Sequence, residues 1–139
     1  MIVLPEQDDL ARFLQGLDIP TLTVDNKTVH DIMDAVSVIG SRFGKAGKAD
    51  SLLASMRKRI DRVERSSAGR RRVKVLISIG HDFGSGRARE VYAAGKGTYY
   101  DELVKTAGGE NVCDNTMAEF PVISSEGILS LDPEIIIEL

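Results

Sequence analysis

V-K-V-L-I-S-I-G, residues 73–80, decides the fold. So continuous an apolar run, closed by Gly80, is what a strand buried on both faces requires. Such strands belong to parallel sheets covered by helices on each side. Helix signals stand to either side of it. Downstream, A-G-K-G-T-Y-Y-D-E-L-V-K-T-A-G-G-E-N covers residues 94–111. Here Thr98 caps a helix and Asp101, three residues on, returns the bond; Tyr100, Leu103, Val104 and Ala107 share one face, and Gly108-Gly109 ends it. Upstream, Ala49, Leu52, Leu53, Met56, Ile60 and Val63 form the apolar stripe of a helix from Lys48 to Arg65, about 18 residues or roughly 27 Å at 1.5 Å per residue. Strand and helix alternate, which predicts an α/β fold built on a parallel sheet.

The rest of the chain extends the pattern. Ile2-Val3-Leu4, closed by Pro5, reads as the end of a buried strand. Leu10, Phe13, Leu14 and Leu17 give a helix with Asp8 and Asp9 in its first turn. Thr21 to Val24 follows as a second strand, parallel to the first through a right-handed crossover. Thr28 and Asp31 form a capping box before Val29, Ile32, Met33 and Val36. Near the end, Asn111-Val112-Cys113 reads as a brief strand and Ala118 to Val122 as a loop around Pro121. Ser124 opens a helix through Leu131, and Glu134 to Leu139 is a strand. Both ends fall on apolar strands that call for more sheet, so the chain reads as a fragment. Its expected division is 1–25, 26–69 and 70–139.

Composition bounds the function. The chain has 139 residues, 42% hydrophobic and 28% charged, with a net charge of -3, the balance of a globular domain. That charge gives no reason to seek nucleic acid. Arg70-Arg71-Arg72 is the one basic run, and its place between Ser66-Ser67-Ala68-Gly69 and an apolar strand reads as a solvated turn. A single cysteine, Cys113, allows no internal disulfide and reads as a small buried residue. No apolar run approaches the roughly 20 residues of a membrane helix, and Met1-Ile-Val-Leu is not a secretory signal.

Catalytic motifs are missing. Neither G-x-x-x-x-G-K-S/T nor G-x-G-x-x-G fits Gly80, Gly84, Gly86, Gly95 or Gly97. His30 has no partners at metal-ligand spacing. Ser78, His81 and Asp82 share one loop without a G-x-S-x-G elbow. That loop leaves the carboxyl end of the central strand, where open parallel sheets bind ligands. His81 there either touches a ligand or simply faces solvent. No catalytic residue, metal or cofactor is assigned, and the chain is not read as an enzyme.

The order V-K-V-L-I-S-I-G, then V-Y-A-A-G-K-G-T-Y-Y-D-E-L-V-K-T-A-G-G-E-N-V, then F-P-V-I-S-S-E-G-I-L-S-L-D-P-E-I-I-I resembles the periplasmic substrate-binding proteins of ABC importers for iron-siderophores, haem and cobalamin. The resemblance implies a fragment of a two-lobe protein, truncated at both ends, with a parallel-sheet three-layer sandwich and a rigid interlobe helix within 26–69. It implies capture of a metal chelate, a ferric siderophore, haem or cobalamin, and delivery to an ABC permease in the membrane. The location is then periplasmic, or a cell-surface lipoprotein, with no signal in this chain. Tyr92 and Phe120 match ligand-facing aromatic positions, and the loop with His81 and Phe83 matches a ligand-facing loop. Either aromatic could instead pack on its own lobe. Glu126 matches a carboxylate that docks on permease arginines, although the helix dipole alone also favours an acid there. P-E-I-I-I-E-L is the counterpart of I-V-L-P-E-Q, so the fragment either closes into one sandwich or exchanges strands in a homodimer. A chelatase-like enzyme of similar architecture is the alternative, and a flavodoxin-like interaction domain a third reading.

Overall fold

A computed structural model describes residues 1–81, 90–114 and 118–139, with the backbone alone at His81. The chain divides into two compact units, Met1–Lys58 and Arg59–Leu139, and the division falls within one long helix.

In the first unit, β1 (Ile2–Val3) runs into a 3-10 turn opened by Pro5, then α1 (Asp8–Gly16), β2 (Leu22–Thr23) and α2 (Val29–Arg42). The strands β1 and β2 are parallel, Ile2 opposite Leu22, as the crossover reading expects. Val3, Ala11 and Leu14 are the core. Of the expected stripe on α1, Leu10, Phe13 and Leu17 stay exposed, because a two-strand ladder is narrow enough for Ala11 and Leu14 to cover it. Thr28 caps α2 as its capping box predicts: its Oγ1 accepts from the Asp31 amide at 3.1 Å, and the Asp31 carboxylate accepts from the Thr28 amide at 2.9 Å. A long helix, α3 (Ala46–Ser67), extends the predicted one by two residues at each end. Ala49 and Leu53 are buried on it, whereas Leu52 and Val63 are exposed.

The second unit is organised around β3 (Val73–His81), with β4 (Glu90–Ala93), α4 (Tyr99–Thr106), β5 (Gly109–Asn111), β6 (Val122–Ser124), α5 (Ser125–Leu131) and β7 (Ile135–Glu138). Alternate carbonyls of a strand point to opposite edges, so the ladder bonds give the layout. Val75 O accepts from Val112 and Ile77 O from Ala94, while Lys74 O and Ser78 O accept from Glu134 and Leu139. Thus β5 and β4 follow one another along one edge of β3, and β7 holds the other.

The sheet is parallel where it was expected to be, across β5, β3 and β7. It also carries an antiparallel arm, β4 on β3 and β6 on β4, along residues read from sequence as loop. Only Val91 and Ala93 point into the core from β4, too few apolar residues to declare a strand. The two faces are covered separately. Val75 and Ile77 pack under Val104 of α4, and Leu76 packs with Ala93 and Cys113 beneath Ile128 and Leu131 of α5. Helix, sheet and helix make the three expected layers.

The double glycine has two distinct reasons. Gly108 takes φ +82°, and a Cβ there would meet the Ser67 side chain at 2.9 Å; a Cβ on Gly109 would meet Val104 Cγ1 at 2.7 Å. Ser67 also donates to Thr106 O at 2.8 Å, so the end of α3 and the end of α4 are joined. At the start of β7, Arg71 grips Glu134 with two bonds, at 3.0 and 2.5 Å, and Glu134 accepts the Lys74 amide at 3.0 Å. Beside α4 an apolar groove of about 560 Å³ lies open, lined by Leu103, Ala107, Ile135 and Ile137 among others. Leu103 and Ala107, expected in the core, face this groove. No described helix is long and apolar enough to cross a membrane.

Candidate functional site

The site grows out of the antiparallel arm. In β4, Val91 and Ala93 point to the α5 side, so Tyr92 points to the α4 side. Its ladder partner on β6 is Val122. The pairing continues beyond the strands, because Ala93 N donates to Pro121 O at 2.9 Å and Gly95 N to Glu119 O at 2.8 Å. The same register sets Phe120 opposite Ala94, on the same face as Tyr92 and diagonal to it.

Two more rings join from α4. Tyr100 meets Phe120 edge to face, with centroids 6.4 Å apart and an interplanar angle of 77°, and Tyr99 lies against Tyr100 with centroids at 4.0 Å. The edge-to-face pair is a favoured arrangement, whereas the two tyrosines are tilted by 33°. Burial pushes the Tyr99 hydroxyl up to about 12, with help from a hydrogen bond to Tyr100 and from its charge. On β3 the residue facing Tyr92 is Gly80, and its missing side chain leaves the ring room to lie across the strand.

The register between β3 and β4 shifts between Ser78 and Gly80. A bulge there re-aims the strand end, a device found beside functional sites. The result is an aromatic wall at the carboxyl end of the central strand. Tyr92 is 47% exposed and Phe120 41%, so neither is consumed by its own core. A surface of this kind offers stacking and apolar burial to a flat, polarisable ligand.

A buried polar frame holds the wall. Thr98, Asp101 and Asn111 are all at most 2% exposed. Thr98 caps α4 as predicted, its Oγ1 donating to Gly95 O at 2.9 Å and accepting from the Asp101 amide at 3.4 Å. Asp101 returns its bond to Gly97 N, at 3.1 Å, one residue before the cap expected from sequence. Asn111 donates to Ala94 O at 2.9 Å and accepts from Cys113 N at 3.1 Å.

The family profile described as periplasmic binding protein matches residues 1–138. The chain belongs to the periplasmic binding proteins. Among other members, it is 26% identical over 124 residues to the vitamin B12-binding protein of Salmonella typhi, an alignment that takes in 89% of this chain and 44% of that protein. It is 25% identical over 136 residues to the high-affinity heme uptake system protein IsdE of Staphylococcus aureus strain Newman, covering 96% of this chain and 44% of the relative. An ABC transporter substrate-binding protein from Listeria monocytogenes EGD-e superposes with a TM-score of 0.77 at 26% identity, over 99% of this chain and 52% of that one. The chain therefore spans about half the length of the relatives it matches.

Within this periplasmic binding protein the expected site residues separate. Tyr92 and Phe120 come together on one face of the β4 arm. Glu126 stands elsewhere, exposed in the first turn of α5, whose cap Ser124 accepts from the Gly127 amide at 3.2 Å. The backbone of His81 ends β3 opposite Val91. Phe83, like Asp82, lies outside the described residues. Tyr99 and Tyr100 were not expected to line the wall. Tyr100 fits a helix stripe so well that its spacing reads as core, and only the loop Glu119–Pro121 lying alongside reveals its second role.

Proposed function

We propose that this chain is part of the extracytoplasmic substrate-binding component of an ABC importer. In this reading it captures a metal chelate of the ferric siderophore, haem or cobalamin class and delivers it to the permease. The wall of Tyr92, Phe120, Tyr99 and Tyr100 carries the proposal, because flat rings at the carboxyl edge of the sheet, with Tyr92 and Phe120 left half in solvent, suit a flat chelate. The names of the relatives support it, as they are those of binding and uptake proteins for vitamin B12 and heme. The reading is one of binding rather than catalysis, and of a periplasmic or cell-surface location.

Glu126 is the proposed permease contact. It is exposed on the far side of the sheet arm from Tyr92, where a carboxylate at a helix start is held outward and can pair with an arginine.

One set of variants tests both roles in the protein that carries this chain. Cyanocobalamin, haemin and ferrichrome are titrated in turn and followed by absorbance. Tyr92→Ala combined with Phe120→Ala should weaken the ligand that binds by at least about thirtyfold, the loss of roughly 2 kcal/mol that marks an interface hot spot. Glu126→Arg should leave that affinity unchanged and abolish uptake by cells. If none of the three chelates binds, the proposal fails.

A further inference from the structure

Asp101, in the first turn of α4 as its capping role expects, is a buried carboxylate. Its side chain is 2% exposed, and among the described residues its Oδ1 accepts no hydrogen bond. A buried acceptor left unpaired is unfavourable and calls for a reason. The cost is not relieved by Lys105, whose ammonium reaches the other oxygen, Oδ2, at 2.7 Å from a half-exposed position. An apolar residue would fill the place without leaving a buried oxygen unpaired.

What Asp101 does provide is a connection. Its Oδ2 accepts the Gly97 amide at 3.1 Å and fixes a turn in which Gly97 takes φ +80°. The same turn is closed by the Thr98 hydroxyl on Gly95 O, and Gly95 N holds Glu119 O. Phe120 follows at once. On the other side, Tyr99 and Tyr100 are the two residues before Asp101 in the first turn of α4. One carboxylate thus ties the helix bearing two rings of the wall to the segment bearing the third.

We infer that Asp101 is a positioning residue of the ligand wall, setting Tyr99 and Tyr100 against Phe120 through the Gly95–Thr98 turn. It does not touch the ligand, and it acts on the wall by fixing the angle and spacing of the rings. The inference rests on the binding role proposed above. The Tyr99 hydroxyl is raised first by burial and then by its hydrogen bond to Tyr100.

The chain is unusually suited to a test. It has no Trp, and its three tyrosines are Tyr92, Tyr99 and Tyr100, so tyrosine signals report the wall and nothing else. Asp101→Ala, Asp101→Asn, Lys105→Met and Thr98→Val are compared with the parent by near-UV circular dichroism without ligand. The same variants, placed in the protein that carries this chain, are then compared by equilibrium dialysis against cyanocobalamin and haemin. Asn keeps an acceptor for Gly97 N, and Met at 105 leaves that bond alone. Asp101→Ala and Thr98→Val should lose the tyrosine dichroism and weaken binding at least tenfold, with Asp101→Asn and Lys105→Met within about threefold of the parent. If Asp101→Ala does not fold, Thr98→Val and Asp101→Asn carry the comparison. Parent-like dichroism in Thr98→Val, or failure of Asp101→Asn to restore what Ala removes, overturns the inference. If the parent binds neither chelate, the binding proposal fails, and the dichroism still decides whether Asp101 sets the rings.

Discussion

Replacing Asn111 with Leu should be among the most damaging single changes in the second unit, although it swaps one side chain for another of similar size. The Asn111 amide satisfies two backbone groups, Ala94 O at 2.9 Å and Cys113 N at 3.1 Å. It is 2% exposed and its neighbours Ala94 and Cys113 are 0% and 1%, so both bonds are made away from water. Losing a buried hydrogen bond of this kind costs about 1–3 kcal/mol. Two of them, less some gain from burying the Leu side chain, make about 3 kcal/mol. A domain stable by roughly 5–15 kcal/mol survives that loss, but visibly. The assay is urea unfolding followed by tyrosine fluorescence, which reports this unit alone because all three tyrosines lie within Arg59–Leu139. With a slope of about 2 kcal/mol per molar urea, the midpoint should fall by about 1.5 M. Asn111→Asp keeps the acceptor for Cys113 N and loses the donor to Ala94 O, so it should fall between. A midpoint within about 0.3 M of the parent for the Leu variant would refute the reasoning.

Two further outcomes follow from packing and charge. Gly109→Ala should cost about 2 kcal/mol, in the usual range for overpacking, since its Cβ would stand 2.7 Å from Val104 Cγ1 and 3.2 Å from Val75 Cγ2. Thermal melts should show a fall of roughly 4–8 °C, while Gly16→Ala, with nothing within 4 Å, should melt as the parent does. The Arg71 guanidinium and the Lys74 amide hold the Glu134 carboxyl down at about 2, against an ordinary 4.5. Its contribution is therefore full above about pH 4.5 and lost as the pH falls toward 2. Melts of Arg71→Met against the parent between pH 6 and pH 2 should show a difference that is constant above 4.5 and vanishes on acidification; a difference independent of pH would exclude the pair as its source.

Where local signals were strong, the sequence was enough to read the fold. Thr28 with Asp31, and Thr98 before its helix, carry their caps in the chain order itself, and β3 announces its burial by the apolar run Val75-Leu76-Ile77 at its centre. The antiparallel arm was illegible for a physical reason. In β4 and β6 only a few residues point inward, and their pairing, Glu90 with Ser124 and Tyr92 with Val122, is fixed by backbone bonds between distant segments that no local pattern encodes. The site shares this limit. Tyr92 and Phe120 were named through the resemblance, and their nearness follows from the register of those two hidden strands. Asn111 reads as the start of a brief strand; nothing in G-G-E-N says that its amide will close two gaps in a ladder. Arg71 looked like solvated charge because its partner, Glu134, is 63 residues away.

The division of one edge of β3 between a parallel and an antiparallel neighbour has a consequence for how such a protein could change its ligand. The lower half, with β5 and β7, needs helices on both faces and tolerates little alteration. The upper half hangs from it by a short ladder, and its outward residues Glu90, Tyr92 and Val122 owe nothing to the core. New side chains at those positions would repaint the binding surface without disturbing the sandwich beneath. A scaffold divided in this way lets descent explore ligands at its rim while selection for folding acts elsewhere.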